Sequence, residues 1–553
     1  MYDFIVVGGG PAGASLATRL AQTKHAPEVL LLEAGAENRE NQNTPATEKR
    51  SSMAIPKLNW GYKTAPQENF LHRQADYSRG KTLGGTSVIN FMVWSRGPRD
   101  DYEEWAERVG DSDFNWTNAE RLYKSIEGYD VNSGEMSEYF KPDPLVHGTS
   151  GPISIENGQI WPEGLHTAVD AIVASGVKLN LDLNSGDPLG LGLIPFMSRK
   201  GLRCTASAYT DIAPSNLTLQ VNTLVTKLIF EKNKVIGVQT DKGKYLASKE
   251  VILAAGAVDT PKILLLSGIG PADHLKQHGI PVVVDLPVGE NLRDHSYLQL
   301  LYELNDSIID KHLINSPELL LSARAQFAKD GTGPFTAVNR VFALSWTRDE
   351  LVEQRVGFAD LAEEEKRLFR RSTIPTHEFS VSISQIARCP GKILFGLSSV
   401  GMNMQSRGTV RLASADPADA PIIDPKFLSH AFDRDNLVGD LRRMIALSEL
   451  PDIKSTIKGP LGAPASSSDE DIWDFVRKNM GSCWHPCGTV KMGKADDPEA
   501  CVDSEFAVKH FEGLRVVDLS VAPFVPSCHT TSTAYWLGEL AAEKIARRYG
   551  LNG

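Results

Sequence analysis

The sequence predicts an α/β chain: a Rossmann-like domain and a second, α+β domain built on an antiparallel sheet. Three observations predict it. Residues 2–35 read as strand, glycine turn, helix and strand. Residues 249–270 repeat the strand-to-helix pattern more than 200 positions later. Residues 300–480 instead mix charge-rich helical segments with short alternating apolar runs.

The first unit carries the most chemistry. The apolar run Phe4 to Val7 enters a turn in which Gly8, Gly10 and Gly13 have the G-x-G-x-x-G spacing. A helix is expected over Pro11 to Gln22, then a strand over Val29 to Leu32 closed by Glu33. Gly8 permits the tight turn. Gly10 admits a pyrophosphate close to the backbone, and Gly13 lets the helix pack near the strand. The helix N-terminus offers N–H groups and partial positive charge. Glu33, 20 residues after Gly13, is placed to hold a ribose hydroxyl. The unit is therefore a Rossmann-like dinucleotide site. No G-K-[ST] follows, which argues against a P-loop.

Further along, RGKTLGGTSVINFMVWSRGPRDDYEEW spans 79–105, and its small residues at Gly84 and Gly85 suit backbone laid flat against a ligand. Asn90 sits in an apolar run and must find hydrogen-bond partners. Residues 221–230 and 235–240 read as paired strands, and Val251 to Leu253 as another. Ala254 to Ala257 are small enough for a cofactor to pass, and Thr260 with Pro261 reads as a helix start. In the middle region, Asp360 to Ser372 reads as a helix, and Phe379 to Ile386 and Ile393 to Leu397 as strands. Ser466 to Ser468 cap a helix opening on Asp469, Glu470 and Asp471. In the tail, GSCWHPCGTVKMG (481–493) holds His485. The segment 513–550 holds a strand, Asp518, His529 and a final helix with N-cap candidates at Thr530 to Ser532.

Composition sets limits. Net charge is −11, and no basic stripe offers a nucleic-acid surface. No apolar run reaches the roughly 18 residues of a membrane span. The N-terminus enters the first strand at once, so with Met1 as native start the chain reads as intracellular, and as secreted if a leader was trimmed away. The six cysteines, at 204, 389, 483, 487, 501 and 528, lack disulfide or zinc spacing, so no metal site is expected. Sequons at Asn115, Asn216 and Asn305 leave glycosylation open, and a homo-oligomer stays open as well.

Taken together, these segments resemble the glucose–methanol–choline oxidoreductases, FAD enzymes that oxidise alcohols. Gly80 to Glu103 fits the family's first signature and GAVDTPKILLLSGIG (256–270) the second. PVGENLRDH (287–295) is similar to the loop that follows, and His485 opens a match to H-x-x-G-T-x-x-M-G. The texture around INFMVWSRG resembles fungal alcohol and formate oxidases most. The resemblance implies FAD, with Glu33 on the adenosine ribose, Val225 at the adenine, and Asn90, Phe91, Met92 and Val93 along the flavin. Asp518 and Leu519 would meet the pyrophosphate–ribityl part, and Thr530 and Thr531 the pyrimidine. Pro11, Ala12, Ala34, Thr82, Gly85 and Ala255 complete the expected cofactor contacts. Ile89 stands where some members carry a histidine that binds FAD covalently, so the FAD is expected to be non-covalent.

Alcohol oxidation takes a proton from oxygen and a hydride from carbon, so a base is needed beside flavin N5. Imidazole suits that role near neutral pH. His485 is the expected base, and His529 its partner at the substrate oxygen. Trp484 and Trp94, with Phe91, are expected in the substrate pocket. The expected reaction is oxidation of a small alcohol or aldehyde, with O2 as acceptor giving H2O2. The alternatives are a dehydrogenase using a quinone-type acceptor, a non-redox FAD-containing lyase or cyclase, or a non-catalytic binding protein. The expected domains are 1–155, 200–299 and 481–553 for FAD, and 156–199 and 300–480 for substrate.

Overall fold

The computed structural model describes residues 1–37, 52–131, 134–158, 161, 164–305, 317–334, 342–384 and 392–553. Its architecture is mixed α/β. Strand Tyr2–Val7 runs parallel to Val29–Leu32 on one side and to Gly243–Leu253 on the other. Leu217–Gln220 extends the first side and Leu514–Val516 pairs with Gly243–Leu253, both in parallel. The sheet is completed by the antiparallel strands Lys234–Thr240 and Val225–Glu231, giving seven strands. Strand order thus reverses at Tyr2–Val7, because the chain leaves it first to one neighbour and much later to the other. Such a reversal opens a crevice at the carboxyl ends of the strands.

Helix Pro11–Ala21 follows the glycine turn. Gly8 has φ +108°, a conformation that favours glycine. A Cβ on Gly13 would stand 1.9 Å from the Gly8 carbonyl oxygen, so helix and turn meet backbone to backbone. The final helix, Thr531–Arg548, packs on Pro11–Ala21 at an equally close point. There a Cβ on Gly538 would fall 2.1 Å from Ser15 Oγ. Buried Phe4, Ile5, Val6, Leu16, Leu30 and Trp536 fill the core between them.

The second sheet is antiparallel, in the order Phe342–Thr347, His377–Ser384, Leu394–Gly401, Ser296–Leu304 and Ile457–Gly462, with Gly481–Ser482 also paired to Ser296–Leu304. In His377–Ser384, Phe379, Val381 and Ile383 face the core while Glu378, Ser380 and Ser382 line the cavity described below. The expected strand over Phe379 to Ile386 matches this element as far as Ser384. Its last two positions, like Cys389, lie outside the described residues. Helix Asp469–Asn479 starts where its sequence indicates, with Ser468 Oγ accepting from the Asp471 N–H.

One helix starts elsewhere. It spans Gly256–Leu266, so Thr260 is not its N-cap and Pro261 lies inside it. Proline has no N–H and would leave the carbonyl of Ala257, four residues back, without its helical donor. Thr489 Oγ1 takes that carbonyl at 2.7 Å. Thr489→Val is therefore expected to lower stability by about 1 kcal/mol, as read by urea unfolding. None of the described helices is long and apolar enough to cross a membrane.

Candidate active site

A cavity of about 580 Å³ opens at the carboxyl ends of the parallel strands and extends to the antiparallel sheet. Three helix N-termini line it: Gly10–Ala12, Ala255–Ala257 and Thr530–Thr531. None of the three helices is capped by the side chain of its own N-cap residue. Their leading N–H groups and dipoles make the cavity a place for anionic oxygen atoms. At Gly10 the nearest atom to an added Cβ is Gly85 Cα, 3.9 Å away. At Gly256 nothing lies within 4 Å. Backbone is thus exposed to the cavity at two points on these helices.

Glu33 sits at the end of its strand, buried, with Oε2 accepting from the Gly9 N–H and Oε1 from the Gly35 N–H, both at 2.8 Å. Burial outweighs these bonds and pushes its carboxyl up to about 7. Each oxygen keeps a second lone pair for a ligand hydroxyl. Asp518 is tied to the second helix start: its Oδ2 accepts from the Gly256 N–H at 2.8 Å and from Thr260 Oγ1 at 2.6 Å. Burial raises its pKa as well.

Asn90 is held rather than merely buried. Its Oδ1 accepts from the Met92 N–H at 3.0 Å and from Arg203 Nη1 at 2.9 Å, and its Nδ2 donates to Thr531 Oγ1 at 3.2 Å. These bonds fix the segment in which Met92 has φ +62°. Among the described residues no carboxylate pairs with the buried Arg203, and burial pulls its guanidinium down to about 9.

The two expected histidines converge. The rings of His485 and His529 lie 5.1 Å apart between centroids, nearly perpendicular, and both residues line the cavity. His529 comes from the loop before the last helix, and its Nε2 is 3.0 Å from Glu378 Oε1. His485 follows Trp484, whose backbone is left-handed at φ +59°. That turn is pinned at several points. The His485 N–H donates to Asp294 Oδ1 at 2.8 Å, the Trp484 N–H to Ser482 Oγ at 2.7 Å, and Arg79 Nη2 to the Trp484 carbonyl at 2.7 Å. His485 Nδ1 lies 3.0 Å from Nδ1 of His295. Burial first, then the neighbouring His529, His295 and Arg79, hold the His485 imidazole well below its ordinary pKa. His485 is therefore neutral near neutral pH, with a lone pair to offer.

Of the residues expected from sequence, Gly8, Gly10, Pro11, Ala12, Glu33, Ala34, Gly85, Asn90, Phe91, Met92, Val93, Val225 and Ala255 line the cavity. So do Asp518, Leu519, Thr530, Thr531 and Trp484. Three others stand outside its lining. Gly13 packs against Gly8, and Thr82 donates from Oγ1 to the Ala36 carbonyl. Trp94 is a core residue, not a pocket wall: it is buried, its Nε1 donates to Glu127 at 2.8 Å, and its ring packs on Tyr123 and Tyr535. Its bond to Glu127 explains this, since it turns the indole away from the cavity that Val93 lines. Sequence reasoning missed Glu378, His295 and the polar side chains of the antiparallel sheet. Glu378, Ser380 and Ser382 recur at every second position, which is a readable signal of a buried polar face. His295 closes the segment PVGENLRDH, whose sequence alone gives it no role.

The sequence profiles of the family described as GMC oxidoreductase match residues 2–297 at the N-terminal half and 404–538 at the C-terminal half. The glucose methanol choline oxidoreductase atC of Aspergillus terreus is 33% identical over 98% of this chain and 92% of its own length. The alcohol dehydrogenase [acceptor] of Pseudomonas putida is 32% identical over 99% of this chain and 96% of its own. Among solved structures, an FAD-dependent oxidoreductase from Chaetomium thermophilum superposes with a TM-score of 0.89 at 27% identity, covering all of both chains. The chain belongs to the GMC oxidoreductases, a family of FAD-dependent enzymes acting on alcohols and related substrates.

Proposed function

We propose that the chain is an FAD-dependent alcohol oxidase in which His485 is the general base. The observation that carries this reading is the pair of imidazoles, 5.1 Å apart, in a cavity that three helix starts and Glu33 also line. Bound FAD would supply the hydride acceptor. Gly10 to Ala12 and Asp518 would flank its pyrophosphate, Glu33 its adenosine ribose, and Val225 the adenine. Asn90 to Val93 would lie along the flavin, with Thr530 and Thr531 at its pyrimidine side. These contributions come from the residues of the parallel sheet and the tail, which we take as the cofactor domain (1–155, 200–299 and 481–553).

His485 would take the alcohol proton as the carbon gives up its hydride, and His529 would hold the oxygen as charge develops on it. Glu378 would steady His529 in that position. Phe91 and Trp484, with ring centroids 5.9 Å apart, would close the site against water. The wall of Gln299, Ser380, Ser382 and Ser398 would face the substrate.

The test of the reaction class is a screen of ethanol, benzyl alcohol, choline, glucose and formate, with peroxide and dye reduction measured side by side. Peroxide with an alcohol supports the oxidase. Dye reduction without peroxide assigns a dehydrogenase. Absence of turnover with every compound overturns the reading for these substrate classes. The site also fits a dissociable cofactor, because Ile89 offers no nucleophile. Acid precipitation is expected to leave a colourless pellet and a yellow supernatant, and a yellow pellet would contradict this.

A further inference from the structure

We propose that His295 is a positioning residue which dictates the ring nitrogen on which His485 carries its proton. The inference rests on reading His485 as the base. Nδ1 of His295 faces Nδ1 of His485 at 3.0 Å, with ring planes 82° apart and both rings buried. Two imidazole nitrogens at that distance share one proton: one donates and the other accepts.

The direction follows from the chemistry. With Nδ1 turned to His295, Nε2 of His485 is the nitrogen left for a substrate. It can receive the alcohol proton only if it is bare, so the neutral ring must carry its hydrogen on Nδ1. That hydrogen needs an acceptor, and His295 Nδ1 is in place. His295 then carries its own hydrogen on Nε2, an atom buried without a hydrogen-bond partner among the described residues. The opposite assignment would put a hydrogen on His485 Nε2 and abolish the base. When the alcohol proton arrives, it bonds to Nε2 of His485, the O–H bond breaks, and the Nδ1 hydrogen stays in its bond to His295.

His295 suits a constant acceptor because it does not charge in the working range. Burial and the nearby His529 pull its pKa down to about 3. The other ionisable groups around the pair are Asp294, which accepts from the His485 N–H, Arg79 beside His485, Glu378 on His529, and Cys483, whose N–H donates to the His295 carbonyl. Asp294 meets the backbone of His485, and none of these groups bonds to its Nδ1. The tautomer is thus assigned to His295 alone.

The experiment compares His295→Leu, His295→Asn and His295→Gln, using the fastest alcohol among ethanol, benzyl alcohol, choline and glucose. Asparagine places an amide oxygen where Nδ1 stands, whereas glutamine carries it one bond further. We expect kcat/KM to fall by about 10–100-fold in the Leu and Gln variants, the scale on which lost orienting partners act. The acid limb of the profile should shift as well, because His295 is one of the groups that set the His485 pKa. His295→Asn should stay within about threefold of the parent with its limb in place. Nitrogen-labelled histidine NMR of the holoenzyme should report His485 as the Nδ1–H tautomer, and as a mixture in the Leu variant. A Leu profile equal to the parent overturns the inference, as do Asn and Gln variants that behave alike, or an Nε2–H tautomer in the parent. If the Leu variant fails to fold, the Asn–Gln comparison decides. A parallel His485→Ala with full turnover would sink the base assignment instead, which separates the two failures.

Discussion

Replacing His485 with alanine is expected to lower turnover by about 10²–10⁴ while the protein keeps its FAD. The fold should tolerate the change. The bond from residue 485 to Asp294 is made by the backbone N–H and survives any substitution except proline. The turn is also held by Arg79 and Ser482 through the backbone of Trp484. What disappears is a cavity-facing imidazole whose surroundings keep it neutral. His529, with Nε2 on Glu378, has its ring committed to a carboxylate and is expected to compensate little. The measurement is steady-state turnover alongside the ratio of visible to ultraviolet absorbance. Normal colour with crippled turnover supports the assignment, and normal turnover removes His485 from its role.

The second large effect is expected at Gly10. Its φ is −77°, which any residue adopts, and its missing Cβ has no neighbour nearer than 3.9 Å. A valine there should fold with little change in stability, within about 1 kcal/mol. Its methyl groups would occupy the cavity beside the helix start that is assigned to the pyrophosphate. Crowding of this kind costs about 1–3 kcal/mol, which weakens binding by roughly 5–150-fold. Gly10→Val should therefore purify folded but depleted of yellow cofactor, as read by thermal melting together with absorbance. Gly8 and Gly13 would be poor choices, since a Cβ at either meets backbone atoms at 2.4 and 1.9 Å, and loss of cofactor could not be told from misfolding. A Gly10→Val protein with full, tightly held FAD would contradict the placement.

Much of the architecture was legible because its signals are local. Strand Val29–Leu32 is a plain apolar run, helix Asp469–Asn479 opens on a serine cap, and the glycine turn after Val7 has one reading. The start of the helix at Gly256–Leu266 lies five residues before the expected one, because Thr-Pro is a common helix opening. What permits Pro261 inside is Thr489, more than 200 residues away. Trp94 was assigned to the pocket because its neighbours lie there. A buried acceptor, Glu127, and the rings of Tyr123 and Tyr535 decide its direction, and none of these is visible in the local sequence. Of the histidine cluster, His485 and His529 were read from motif position. His295 and Glu378 entered only when strands distant in sequence were brought together.

The central claim is that two imidazoles flank a bound flavin and that one removes the alcohol proton during oxidation. Its most direct test mixes the holoenzyme with the best alcohol of the screen in the absence of oxygen or dye. The account predicts that the yellow colour disappears within one turnover in the parent and persists far longer in His485→Ala. Product formation with the colour unchanged would instead place the protein among non-redox members and contradict the claim.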